Sequence, residues 1–289
     1  HRLRLARHMI SLRKYPEAAV QLRGLLARQP ENPLFNYEYA RCLYSQGELD
    51  SARIVIDRSL KADDKSPGAW FLSAAIAQRQ GLGQGALEDY DRALGLDPRM
   101  HEAWARAGAI HLEQGDLVKA KAALQKSLEL SAFQPATMAD LGDCHLRAGE
   151  AAKAAACYRS AMTMGHQSAK LLHNLGNAQS LLGQFDPAVA NYRRALQLQP
   201  GNGEIHYNLG NALAMQGKQA EAVEAFQAAI RLDAGQPDYY NNLALVYNRM
   251  GLRSEAIRAF REGLRRHPGS ARLQKNYQEI LTGSRPENG

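Results

Sequence analysis

The chain has few of the residues that would impose chemistry or a covalent framework. Three cysteines among 289 residues, Cys42, Cys144 and Cys157, form no CxxC pair and are too scattered for a disulfide framework. They read as small buried apolar thiols, with a Cys144–Cys157 bridge left open because spacing does not decide geometry. No uninterrupted apolar run approaches the ~20 residues that a membrane-crossing helix needs, and no charged-then-apolar leader is visible. The chain opens on His1 rather than Met, so a fragment or processed product is expected. That leaves an upstream signal or anchor open, and cytoplasm and periplasm are both compatible. Alanine- and arginine-rich usage without glycosylation sequons is compatible with a bacterial source.

Catalytic constellations are equally scarce. His101-Glu102-Ala103-Trp104-Ala105 begins like a zinc-protease helix but lacks the second histidine at i+4. Gly81-Leu82-Gly83-Gln84-Gly85 resembles a phosphate-cradling loop, yet it follows a helical pattern rather than a strand. His111 and His145 share a slot 34 residues apart, and no third metal ligand presents itself. This segment is therefore expected to be non-catalytic, with no cofactor and no metal.

Net charge is +7, unevenly placed. Residues 1–30 carry net +6 and residues 251–289 net +4, while 31–250 carry net −3. A nucleic-acid binder should carry a continuous basic stripe, and the mildly acidic middle argues against one. With 45% hydrophobic and 22% charged residues the composition is that of an ordered chain.

What the chain does have is repetition. NLGNAQSLLG at Asn174 returns as NLGNALAMQG at Asn208, 34 residues on. The same register runs through Arg4, Glu38, Leu72, Arg106, Asp140 and Asn242, giving eight blocks without insertion or deletion. Seven blocks end in glycine (Gly47, Gly81, Gly115, Gly149, Gly183, Gly217, Gly251) and the first in Arg13. A glycine at a fixed place after a helical pattern marks a helix end with positive φ. Five residues later stands alanine in all eight: Ala18, Ala52, Ala86, Ala120, Ala154, Ala188, Ala222 and Ala256. The third residue of each block is also small, Ala6 to Gly176 to Ala244. Two fixed small positions predict two helices crossing closely. Proline follows the second helix at Pro30, Pro98, Pro200 and Pro268.

These positions resemble the tetratricopeptide repeat (TPR). The third unit reads Trp70, Ser73-Ala74, Ala86, Tyr90, Ala93, Pro98, and the sixth reads Leu175-Gly176, Ala188, Tyr192, Ala195, Pro200. The resemblance covers about residues 1–270. It implies an all-α fold, a right-handed superhelical α-solenoid. The expected organisation is one array over 1–281, with repeats near 1–32, 33–66, 67–100, 101–134, 135–168, 169–202, 203–236 and 237–270. A closing helix is expected over 271–281, with Leu273, Tyr277, Ile280 and Leu281 on one face, and a flexible tail over 282–289.

The resemblance also implies that the first helix of each repeat lines an inner, concave groove. The first residues of the last four steps are Asn174, Asn208, Asn242 and Asn276. Asparagine is a mediocre helix former, so four at one spacing suggest a use. An amide offers donor and acceptor together, matching a peptide unit. In family members such as the O-linked N-acetylglucosamine transferases a similar ladder holds peptide. Around it are expected His173, Asn177, Tyr207, Asn211, Asn241, Leu245, Asn248 and Arg249, with Tyr37, Arg41, Tyr44, Phe71, Gln78 and Arg79 in the first half. The competing expectation is that these asparagines bond the neighbouring helix. A carboxylate-gripping arrangement would need cations where His173, Asp238 and Asn242 stand. The expected function is a protein-interaction scaffold holding an extended peptide or partner protein, with oligomeric state open. The alternative is the substrate-recruiting arm of a larger enzyme of the glycosyltransferase or sulfotransferase kind.

Overall fold

The computed structural model describes residues 1–283, and the expected tail beyond Gly283 lies outside them. Contacts divide the chain into two compact units, residues 1–140 and Leu141 onward. Unit 1 contains α1 (Arg2–Ser11), α2 (Tyr15–Leu26), α3 (Pro33–Gln46), α4 (Leu49–Ala62), α5 (Pro67–Arg79), α6 (Gly83–Leu96), α7 (His101–Glu113) and α8 (Leu117–Leu130). The division falls within α9 (Pro135–Arg147). Unit 2 continues with α10 (Ala151–Thr163), α11 (Ala169–Leu181), α12 (Phe185–Leu198), α13 (Gly203–Met215), α14 (Gln219–Leu232), α15 (Pro237–Arg249), α16 (Arg253–Arg266) and α17 (Ala271–Thr282). No strand occurs among the described residues. The architecture is an all-α solenoid of eight helical hairpins and a closing helix.

Local signals explain where the helices start and stop. Asn32, Ser66, Asp116, Ser168, Asn202 and Ser270 each accept a bond from a first-turn N–H, and Pro33, Pro67 and Pro237 stand in first turns where no donor is lost. The glycines that close the first helix of repeats two to eight adopt φ between +71° and +85°. Arg13 holds the same turn at φ +58°. A non-glycine residue in the left-handed region costs roughly 1–2 kcal/mol, so the first turn carries strain that the others avoid.

Hairpins close on the small residues. All eight alanines of the second-helix slot are fully buried. Opposite them, Gly176 approaches Tyr192 and Gly210 approaches Phe226, so that an added Cβ would lie 2.6–2.7 Å from a ring carbon. Tyr90, Tyr158, Tyr192, Phe226 and Phe260 fill the core between helices. A second recurrent device ties α3, α5, α7, α13 and α17 to the loop before each. Asn36, Trp70, Trp104, His206 and Gln274 each donate a side-chain N–H to the carbonyl six residues earlier, at 2.6–3.1 Å. Different side chains serve there because each brings an N–H to the same carbonyl, while Met138, Leu172 and Tyr240 stand at this slot in three of the other repeats.

The closing helix α17 packs on α15 and α16, burying Leu273, Asn276 and Ile280. Leu281, expected on the same face, is 41% exposed in the final turn, where α16 reaches it through a bond from Arg253 to its backbone carbonyl (3.0 Å) rather than through apolar packing. Cys42, Cys144 and Cys157 are free thiols. Burial pushes the Cys42 thiol up to about 11, which keeps it unreactive. No helix among the described residues is long and apolar enough to cross a membrane.

Candidate functional site

The asparagines form a ladder of rungs between successive first helices, and each rung has a fixed span. Asn174 Nδ2 donates to Asp143 Oδ1 (2.8 Å), Asn208 Nδ2 to Asn177 Oδ1 (3.2 Å) and Asn242 Nδ2 to Asn211 Oδ1 (2.8 Å), each 31 residues back. A second set spans 35 residues: Asn208 Nδ2 to His173 Nε2 (2.8 Å), Asn242 Nδ2 to Tyr207 OH (3.0 Å) and Asn276 Nδ2 to Asn241 Oδ1 (2.7 Å). Both N–H groups of Asn208 and of Asn242 are thus committed to the preceding repeat. The Oδ1 atoms of Asn174 and Asn208 have no hydrogen-bond partner among the described residues, and both side chains are half-buried. The ladder therefore leaves Oδ1 acceptors on Asn174 and Asn208, while Asn177, whose Oδ1 is taken by Tyr192 and Asn208, keeps its Nδ2 donor.

Buried groups hold the rungs. Tyr192 OH donates to Asn177 Oδ1 (2.8 Å) and Tyr158 OH to Asp143 Oδ1 (2.7 Å). Burial pushes the Tyr192 hydroxyl up to about 12, and burial together with the Asp143 carboxylate raises Tyr158 far above a tyrosine's usual value, so both remain donors. The same reach is possible because Gly142 and Gly176 let the rings lie against the first helix. Lys170 balances Asp143 at 2.7 Å. His173 is buried and must keep Nε2 unprotonated to accept from Asn208; burial lowers its pKa accordingly.

Asn177, Tyr207, Asn208, Asn211, Asn242 and Arg249 line a cleft of about 670 Å³, together with Leu181, Phe185, Met215 and Leu245. Leu181 and Met215 are 68% and 62% exposed, unusual for residues of their size, and they stand 34 residues apart. The sequence reading missed both, although each lies two residues before a turn glycine, at the mouth of the groove. Asn276 and Asn241, expected on the open face, are buried instead. Each helps to satisfy the other, with Asn241 Nδ2 donating onward to Asn242 Oδ1 (3.0 Å), because α17 covers this end of α15. His173 likewise stands behind the ladder rather than on it.

Tyr37, Arg41 and Phe71 lie in unit 1, each half-buried. Arg41 lies over the Tyr37 ring (5.7 Å) and Phe71 packs edge-on against Tyr90 (5.6 Å) under Arg106 (5.9 Å). A 31-residue rung also joins the first repeat to the second, but an ionic one: Arg7 Nε donates to Glu38 Oε1 at 2.7 Å.

Helical hairpins in constant register, with side-chain rungs between first helices, define a repeat protein whose surface faces are set by sequence period. Tetratricopeptide repeat models match residues 3–67, 71–135, 173–237 and 238–267. The chain belongs to the tetratricopeptide repeat family. It is similar to a solved MamA protein (24% identity, 59% of this chain and 93% of that one, TM-score 0.55). It is also similar to a chain of the APC/C hetero-tetramer Cut9-Hcn1 (17%, 96% and 54%, TM-score 0.60), about half of whose length it spans. A third likeness is a tetratricopeptide repeat protein from Parabacteroides merdae ATCC 43184 (16%, 85% and 97%, TM-score 0.57). At these identities the likeness is one of fold. No curated protein matches the chain by sequence.

Proposed function

We propose that the chain is a non-catalytic scaffold that holds an extended segment of a partner protein in the unit 2 cleft. The observation that carries this is a cleft that joins amide groups to an apolar wall. The Oδ1 acceptor of Asn208 and the Nδ2 donor of Asn177 stand side by side in a cleft that Leu181, Phe185 and Met215 also line. An extended peptide matches both, with backbone N–H and C=O groups for the amides and alternate side chains for the apolar wall. Each neutral bond adds a net ~0.5–1.5 kcal/mol, so a few rungs give moderate affinity, and the apolar contact of Leu181, Phe185 and Met215 supplies the rest.

A peptide selected by display on the full chain tests this. N-methylation of the peptide backbone at single positions should weaken binding about tenfold where a donor met a rung. Met215→Glu, at an exposed position, should abolish binding without changing the fold. If every N-methylated peptide binds like the parent, the ladder is a structural device alone.

A further inference from the structure

Unit 1 contains a second cleft, of about 420 Å³, built from different chemistry and at the same place in the repeat. It is lined by Arg7, Ile10 and Ser11 of α1, Arg13 of the first turn, Tyr15 of α2, and Arg41 and Ser45 of α3. By the 34-residue register, Arg7 and Arg41 occupy the slot of Asn177 and Asn211. Three guanidinium groups therefore converge where unit 2 presents amides.

The charge of the cleft is not neutralised from within. Glu38 is the acid that touches these arginines, and it is buried, its side chain 2% exposed. Its Oε1 accepts from Arg7 (2.7 Å) and its Oε2 from Arg41 (2.8 Å). One carboxylate shared between two guanidiniums fixes their orientation and leaves a positive charge over. The arginines are 49% and 40% exposed, with N–H groups still available. Arg13 adds a third charge from a backbone that favours glycine, in the one repeat where glycine is missing. Ser45 and Tyr15 contribute hydroxyl donors. The surface is rich in donors and poor in acceptors, as an oxyanion site requires.

We propose that this cleft binds an acidic segment of a protein partner, its Asp or Glu carboxylates held by Arg7, Arg13 and Arg41. The cleft is large enough for several side chains, and the planar, fork-like guanidinium matches a carboxylate in two bonds. This site does not depend on the reading of unit 2.

The test uses the full chain and a labelled, end-blocked octapeptide of alternating Asp/Glu and Gly/Ser, with its Asn/Gln counterpart as control. The acidic peptide should bind at least tenfold more tightly than the neutral one, and weaken severalfold from 50 to 300 mM NaCl as screening rises. Arg13→Gly is the decisive variant, because it inserts the residue that the other seven turns already use. It should fold with an unchanged or raised denaturation midpoint, yet bind the peptide about fivefold more weakly. Arg41→Gln should also weaken binding, and Arg258→Gln, an exposed arginine of unit 2, should not. Equal binding by Arg13→Gly, equal binding of the neutral peptide, or equal loss on Arg258→Gln overturns the proposal. Inorganic phosphate competing at the peptide's own concentration would reassign the cleft to small phospho-anions and overturn it likewise.

Discussion

Gly176→Ala separates helix propensity from packing, because the two predict opposite signs. On propensity alone, alanine in the middle of α11 should stabilise by up to about 1 kcal/mol. The structure places the new methyl carbon 2.6 Å from Tyr192 Cε1, 2.8 Å from Cδ1 and 3.0 Å from Cζ. Comfortable carbon contacts lie near 3.5–4.0 Å, so the ring must retreat by roughly 1 Å. Tyr192 is 1% exposed and cannot swing into solvent. It can move only along the helix, and the third repeat shows where to. There Ala74 already carries the methyl, and Tyr90 OH donates to Gln78 (3.1 Å), one turn beyond the rung slot. In the variant Tyr192 should therefore give up Asn177 and bond Ser180 alone, now 3.2 Å away. Overpacking costs about 1–3 kcal/mol. Set against the propensity gain, net destabilisation is about 1–2 kcal/mol. With a urea slope of about 1–3 kcal/mol per molar, the midpoint should fall by about 0.3–2 M. Gly95→Ala, in the last turn of α6 with nothing within 4 Å, is the control and should hold or raise the midpoint. If Gly176→Ala behaves like Gly95→Ala, the close approach of ring and helix is not what this glycine serves.

Three further outcomes follow from the same geometry. Asn208→Ala removes two inter-repeat bonds and should cost about 1–2 kcal/mol by chemical denaturation, whereas loss of an outward-facing amide alone would cost nearly nothing. Ala222→Leu, at a fully buried helix crossing, should cost about 1–3 kcal/mol, and an unchanged midpoint would refute the assigned register. Burial depresses the His173 pKa in the folded chain below the ~6.5 of an unfolded histidine. The unfolded state therefore takes up the proton first as pH falls. The stability that His173 contributes is present above about pH 6.5 and is lost as pH falls through the folded value. His173→Gln should flatten that part of a midpoint-versus-pH curve between pH 7.5 and 5, and an unaltered curve would count against a neutral His173 beneath Asn208.

The repeat itself was determined by sequence. Glycine at seven of the eight turns, alanine at each crossing and a constant 34-residue step together call for a helical hairpin, since each is a local steric requirement. The positions of the ladder asparagines followed from the same period. Their direction did not. Whether an amide points at a ligand or at its neighbour depends on which donors and acceptors another helix brings within 3 Å, and period alone carries no such distance. So Asn208 and Asn242 spend their donors on His173, Asn177, Tyr207 and Asn211, and Asn241 and Asn276 close on each other beneath α17. The Arg7–Glu38–Arg41 triad shows the same division. Sequence put two arginines in the groove slot, but only the packing of α1 against α3 buried one carboxylate between them and left the outer charge unspent.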